Sequence, residues 1–209
     1  FIKALPEYEL TKPYYISGLL PQHHESARTN IQQQLLQQVP LFNLRGQEHN
    51  LSIERHGFEI VNLSDSLCSL DIVGSQTVEY MQEMTSIVTR RLEASLVVCY
   101  DCCSNPPSLA NGRYDTPATT AHIDHTLDSA VRRARRHLTT AEAALYLNGN
   151  WRLRIVNVWK PSSIVYDHDL LFCDFATVQH NDLVAVDRVS SKYAGEVYML
   201  KPSMSYDWY

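Results

Sequence analysis

The chain has 209 residues, 44% of them hydrophobic, with nine Pro and seven Gly, which suits one globular domain with a sizeable core. A formal charge of -5 and a pI near 6.0 give no basic field for nucleic acid or an anionic membrane, leaving a small molecule or a protein as partner. Apolar runs such as Leu96 to Tyr100 fall far short of the roughly 20 residues that span a bilayer, and nothing reads as a signal peptide, so a cytoplasmic protein is expected.

Phe1 to Gln22 carries Pro6, Pro13 and Pro21 among aromatic residues, a pattern for an extended arm packed over a core. That arm also offers a surface for a homodimer. Residues 27–38 are compatible with a helix or with a polar surface. Val39 to Asn43 and Ser52 to Leu63 read as two strands around Arg45 to Glu48, with Pro40 pushing the first to an edge and Gly57 marking a bulge in the second. From Ser75 to Glu93, Val78, Met81, Met84, Ile87, Val88 and Leu92 recur at helical spacing, the clearest helix in the chain. Ser95 to Asp101 reads as a buried strand, and Ser104 to Thr116 as a Pro/Gly/Asn loop.

Asp128 to Leu138 is a basic helical stretch with Arg132, Arg133, Arg135 and Arg136. Thr139 to Glu142 resembles a capping box opening a helix over Ala141 to Leu147. Trp151 to Lys160 alternates like a half-buried strand, and Leu170 to Asp174 and Gly195 to Lys201 supply two more. Short strands with turn-rich links dominate the second half, so the expected class is mainly β with flanking helices, as a jelly roll or barrel. The five cysteines, Cys68, Cys99, Cys102, Cys103 and Cys173, complete neither a zinc site nor a redox motif. They read as reduced thiols, with Cys99 and Cys173 in the core.

The chemistry concentrates at Thr119 to Thr126, TTAHIDHT. On an extended backbone, residues two apart point to the same side, so His122 and Asp124 can converge on one metal ion. An imidazole and a carboxylate suit non-haem Fe(II), whose usual set adds a second His and leaves positions open for co-substrate and oxygen. The alternative is a surface turn with a hydrogen-bonded His and Asp.

Around this block stand Lys12-Pro13-Tyr14, Arg28-Thr29-Asn30, Gly57-Phe58, Asn157 to Pro161, Cys173-Asp174, Asp182 to Val184, Gly195 to Tyr198 and Trp208-Tyr209. In this order they resemble the fungal hydroxylase/desaturase family of the AsaB type, which includes gibberellin desaturases, cephem-methoxylase-related proteins and aziridine-forming oxygenases. The resemblance implies a cupin-like double-stranded β-helix over residues 1–209, and the start at Phe1 without Met and the abrupt end on Trp208-Tyr209 lead to the expectation that both ends are trimmed. It also implies Fe(II) and 2-oxoglutarate as cofactors and oxidation of a small metabolite in secondary metabolism by hydroxylation, desaturation or cyclisation. His122 and Asp124 fall on its first two iron ligands. Its third candidate ligand, a His, is replaced here by Tyr206, and the Arg of its N-V-W-R-P block by Lys160.

Lys160 is accordingly the candidate for the distal carboxylate of the co-substrate, with an Arg of the 132–136 run as second choice, or else simply a surface lysine ending a strand. Thr126 is a candidate donor to Asp124 or to the co-substrate, or else a helix cap. The missing His keeps a second function open: a catalytically silent relative acting as a binding or partner subunit.

Overall fold

The computed structural model describes residues 1–36, 38–64, 76–103, 118–161, 164–166, 169–191 and 193–209. They fall into two compact units, one of residues 1–60, 118–155 and 170–209, the other of residues 61–117 and 156–169. The expected loop at 104–116 and Cys68 lie outside the described residues.

The first unit is built on a four-stranded sheet in the order β1-β3-β4-β2, where β1 is Tyr14–Ile16, β2 His122–Ile123, β3 Leu183–Val189 and β4 Ala194–Leu200. β1 runs parallel to β3, whereas β3 and β2 both pair antiparallel with β4. Side chains alternate along β4, and the sheet carries an apolar cluster on each face. On one face Ile2, Val186 and Val197 are buried, with Tyr8, Ile31, Val184 and Met199 packed against them. On the other, Leu200, Tyr206 and Trp208 are buried, with Phe1, Ala121, Cys173 and Leu183 among their neighbours. The N-terminal arm packs as expected: Ile2 is fully buried and its N–H donates to the Leu200 carbonyl at 3.0 Å. It also contains a short helix, α1 (Glu7–Leu10), that the prolines had argued against.

Ser52 to Leu63 is not a strand. The Ser52 hydroxyl accepts from the Arg55 N–H and starts a one-turn helix, α2 (Ile53–His56), which Gly57 ends at φ 82. Ser at the N-cap and Gly past the C-terminus outweigh the apolar alternation. Gly57 is therefore a helix terminator and not a bulge. A Cβ there would sit 3.1 Å from the Phe175 Cβ, so Gly57→Ala combines a left-handed backbone with a tight contact. We expect it to cost about 1–2 kcal/mol, read as a lower midpoint in urea unfolding at unchanged slope.

The strands expected at 39–43 and 170–174 shrink to single bridges, Leu41 and Cys173 both pairing with Trp208. Residues 95–101 and 151–160 join no ladder among the described residues, and Leu96, Val98, Cys99, Trp151 and Trp159 are exposed. Apolar alternation alone forms no strand without a neighbour to take its hydrogen bonds. Cys99 is thus not a core residue, whereas Cys173 is half-buried and burial pushes its thiol up to about 11. Conversely, LVAVDRV at 183–189 forms the central strand β3, which the sequence reading passed over.

In the second unit, α3 (Gln76–Leu92) matches the clearest sequence expectation, although Tyr80 and Met84 are its buried residues and Val78 is exposed. In the first unit the remaining helices also form as read, α4 at Leu127–His137 and α5 at Thr140–Tyr146. The Thr139–Glu142 capping box is complete, each side chain accepting from the other residue's backbone N–H. Among the described residues more lie in α-helix than in strand, so the element content is a mixed sheet with helices.

Candidate metal centre

β2 is two residues long, and it delivers the H-x-D pair to the sheet edge. His122 lies opposite Met199 and Ile123 opposite Tyr198. The His122 Nδ1 stands 2.8 Å from the Thr120 carbonyl oxygen, where its N–H donates, which leaves Nε2 as the outward ring nitrogen. Nε2 lies 3.4 Å from Asp124 Oδ1. The two side chains converge, and both are somewhat more than one-third exposed.

Without a metal the contact favours the imidazolium. The hydrogen bond to Asp124 raises the His122 pKa above its ordinary value, helped by the Thr120 carbonyl and opposed by burial and by the charge of Arg188. With a metal, the Nε2 proton is replaced. Two ligand atoms each roughly 2.1 Å from a common ion, at an angle of roughly 90–110°, are about 3.0–3.5 Å apart. The observed separation fits two donors of one ion. Among the described residues no group of three or more His, Cys, Asp and Glu side chains completes such a site.

The other expected site residues are placed as follows. Tyr206 does not approach the pair's face of the sheet. It is buried in the cluster with Leu200 and Trp208, against which Ala121 packs, whereas His122 faces across to Met199 on the opposite face. Burial, and next the nearby Asp182 carboxylate, push the Tyr206 hydroxyl up to about 12. Lys160 belongs to the second unit, where its ammonium lies 5.9 Å from the centre of the Tyr80 ring. Of the 132–136 arginines, Arg133 and Arg136 lie over the Tyr193 ring at 4.5 and 5.0 Å.

Thr126 is buried and caps α4, its Oγ1 accepting from the Ser129 N–H at 3.2 Å while its hydroxyl donates to the Glu196 carboxylate. The capping reading of this residue is thereby realised. Its partner was not singled out from the sequence. Glu196 also accepts from the Lys12 ammonium, which reaches Asp187 at 2.5 Å as well. Three of the motif blocks, K-P-Y, H-I-D-H-T and G-E-V-Y, thus meet through Lys12, Thr126 and Glu196. Arg188 was also missed. It shares the His122 face of the sheet, because 186 and 188 alternate together opposite 197 and 195.

Burial would raise the Glu196 pKa, but hydrogen bonds from Lys12 and Thr126 and the charges of Lys12 and Arg132 outweigh it and hold the carboxyl below its ordinary value. For Lys12, burial would lower the pKa, and the hydrogen bonds and charges of Asp187 and Glu196 raise it instead. A lowered carboxyl stabilises the fold above its unfolded pKa of about 4.3 and loses that contribution as pH falls through the folded value. A raised ammonium stabilises below its unfolded pKa of about 10.4 and loses that contribution as pH rises through the folded value. Lys12→Met should therefore lower the melting temperature most between these limits, by an amount equivalent to at most about 1 kcal/mol because Lys12 is half-exposed. Melting curves from pH 3 to 8 check it: the deficit should narrow on acidification.

The chain is similar to the hydroxylase/desaturase CTB9 of Cercospora beticola, 28% identical over 69% of this chain and 48% of that protein. It is 27% identical to the Fe(II)/2-oxoglutarate-dependent dioxygenase nvfI of Aspergillus novofumigatus, over 82% of this chain and 63% of that one. The chain thus spans between about half and two-thirds of the length of these relatives. Among solved structures it superposes on a variant of the iron and alpha-ketoglutarate-dependent endoperoxidase NvfI with a TM-score of 0.77 at 22% identity, covering 100% of this chain and 75% of that one. Another structure of that endoperoxidase gives 0.73 at 22% identity. The fold is shared with that protein, and the resemblance to the fungal hydroxylases/desaturases read from the motif blocks holds. A family model described as oxidoreductase/YMDC permease-like domain matches residues 1–209, and among the described residues no helix is long and apolar enough to cross a membrane. The chain therefore belongs to the oxidoreductase/YMDC permease-like domain family, alongside relatives named hydroxylase/desaturase and Fe(II)/2-oxoglutarate-dependent dioxygenase.

Proposed function

We propose that the chain belongs to an Fe(II)/2-oxoglutarate-dependent oxygenase that hydroxylates, desaturates or oxidatively cyclises a small metabolite in fungal secondary metabolism, in the cytoplasm. The observation that carries this reading is the convergence of His122 Nε2 and Asp124 Oδ1 at 3.4 Å, in a chain whose relatives bear that name. The four-stranded sheet would be part of a double-stranded β-helix. When bound, Fe(II) with 2-oxoglutarate and oxygen supplies the oxidising step. The protein's part is to hold and orient.

His122 and Asp124 would supply two of the ion's ligands. The Thr120 carbonyl fixes the ring through Nδ1 and leaves Nε2 beside Asp124, where it would be available to an ion, the arrangement by which an outer partner sets a ligand's tautomer. Lys160, the cation expected from the sequence for the distal carboxylate of 2-oxoglutarate, lies in the second unit. Arg188, on the His122 face of the sheet and near enough for its charge to act on that imidazole, is a second candidate.

One observation favours the silent binding subunit as a second reading: Tyr206 packs in the apolar cluster of the other face and no third ligand joins the pair among the described residues. Metal analysis of protein purified without chelator, paired with a 2-oxoglutarate consumption assay, separates the two. Stoichiometric iron with turnover supports the oxygenase. Tight metabolite binding with neither supports the silent subunit.

A further inference from the structure

β2 ends at Ile123, so Asp124 lies beyond the ladder and its bearing needs another anchor. On one side the strand is tied by the Leu200 N–H donating to the Ala121 carbonyl at 3.2 Å. On the other, the Thr126 N–H donates to the Glu196 carbonyl at 3.2 Å, and the Thr126 hydroxyl donates to the same residue's carboxylate. The Glu196 N–H in turn donates to the Ser129 Oγ at 3.3 Å, and Ser129 lies 3.3 Å from the His125 Nδ1. Lys12 holds the Glu196 carboxylate from β1's side of the sheet and reaches Asp187 in β3. Thr126 and Ser129 are each 2% exposed, so their contacts with Glu196 are shielded and losing them leaves buried groups unsatisfied, whereas the Lys12 end is half-exposed.

We propose that Lys12, Glu196 and Thr126 form a brace that fixes the bearing of Asp124 towards His122, making Glu196 a positioning residue for the ion. This rests on the reading of that pair as iron ligands. The physical reason is geometric. Asp124 is two residues from Thr126, and Thr126 is bonded to β4 through both backbone and side chain, so releasing the Glu196 carboxylate frees the segment that sets the carboxylate-to-imidazole separation. Glu196 acts through Thr126, whose hydroxyl donates to its carboxylate.

The test uses the full chain, with Fe(II) alone as the probe, titrated anaerobically by calorimetry well below the melting temperature. In the metal-free protein, amide hydrogen exchange at residues 122–126 gives a second readout. Glu196→Ala should weaken Fe(II) binding by about 10- to 100-fold, the range for loss of an outer partner, and speed exchange at the Thr126 amide at least about tenfold. Glu196→Gln, which keeps an acceptor for the Thr126 hydroxyl, should recover most of both. Thr139→Ala removes the remote cap of α5 and should lower stability while moving neither, so general destabilisation does not mimic the brace. If Glu196→Ala loses its melting transition, Thr126→Val against Thr126→Ser reads the same contact, with Ser expected to retain Fe(II) affinity and Val to lose it.

Wild-type affinity in Glu196→Ala, or equal losses in Thr126→Val and Thr126→Ser, overturns the brace. With wild type binding Fe(II) and His122→Ala not, that result leaves the ligand reading standing. A wild-type chain that takes up no Fe(II) overturns both.

Discussion

The wild-type protein should give a weak visible charge-transfer band with Fe(II) and 2-oxoglutarate under anaerobic conditions, and His122→Ala should abolish it. The expected loss exceeds the ~10–100-fold effect of an outer partner, because one of the two converging donors is removed. Asp124→Ala should do the same. Asp124→Asn keeps an oxygen at that place but not its charge, and should leave a residual band of weaker affinity. Each variant should keep its melting temperature within a few degrees, since both side chains are substantially exposed and their ion pair is worth at most about 1 kcal/mol. An unchanged band in His122→Ala at unchanged stability would remove the pair from the site. The distinction matters because a hydrogen-bonded His and Asp on a surface turn would show neither effect.

The second large effect concerns Tyr206, and it differs in size between two substitutions. Its ring is buried with Leu200 and Trp208, while its hydroxyl has no hydrogen-bond partner among the described residues. Tyr206→Ala should cost about 3–5 kcal/mol, the range for emptying a buried aromatic site. Tyr206→Phe should stay within about 1 kcal/mol of wild type, because it keeps the ring's volume and removes only a buried hydroxyl whose polar neighbour is the Asp182 carboxylate. Urea unfolding of the two variants decides it. A Phe variant as damaged as the Ala variant would mean that the hydroxyl, and not the ring, holds the cluster, and would reopen Tyr206 as a polar participant in the site.

Local chemistry was the most legible layer. Thr126, Thr139 and Glu142 announce helix starts because a cap is satisfied within four residues, so α4 and α5 form where the sequence places them. The same rule applied to Ser52 and Gly57 finds α2, where the strand reading of 52–63 does not. For the site, spacing two apart on extended backbone was enough to expect His122 and Asp124 to converge, and they do. The roles of Lys12 and Glu196 were hidden, since each reads alone as a solvated charge, and 184 residues separate them.

What the sequence determined by itself is therefore the short-range part: helix caps, the arm's packing residues, the H-x-D pair, and the ordered motif blocks that led to the family. The tertiary structure decided which apolar runs become strands. Residues 183–189 pair on both sides, whereas 95–101 and 151–160, similar in composition, join no ladder among the described residues. A strand's stability lies in its neighbour, and a neighbour distant in sequence leaves no mark on local periodicity. The structure likewise decided which face each side chain takes. Tyr206, placed by its motif where a ligand was expected, lies beyond the end of β4 at Leu200 and is buried with Leu200 and Trp208, where its ring is taken out of water.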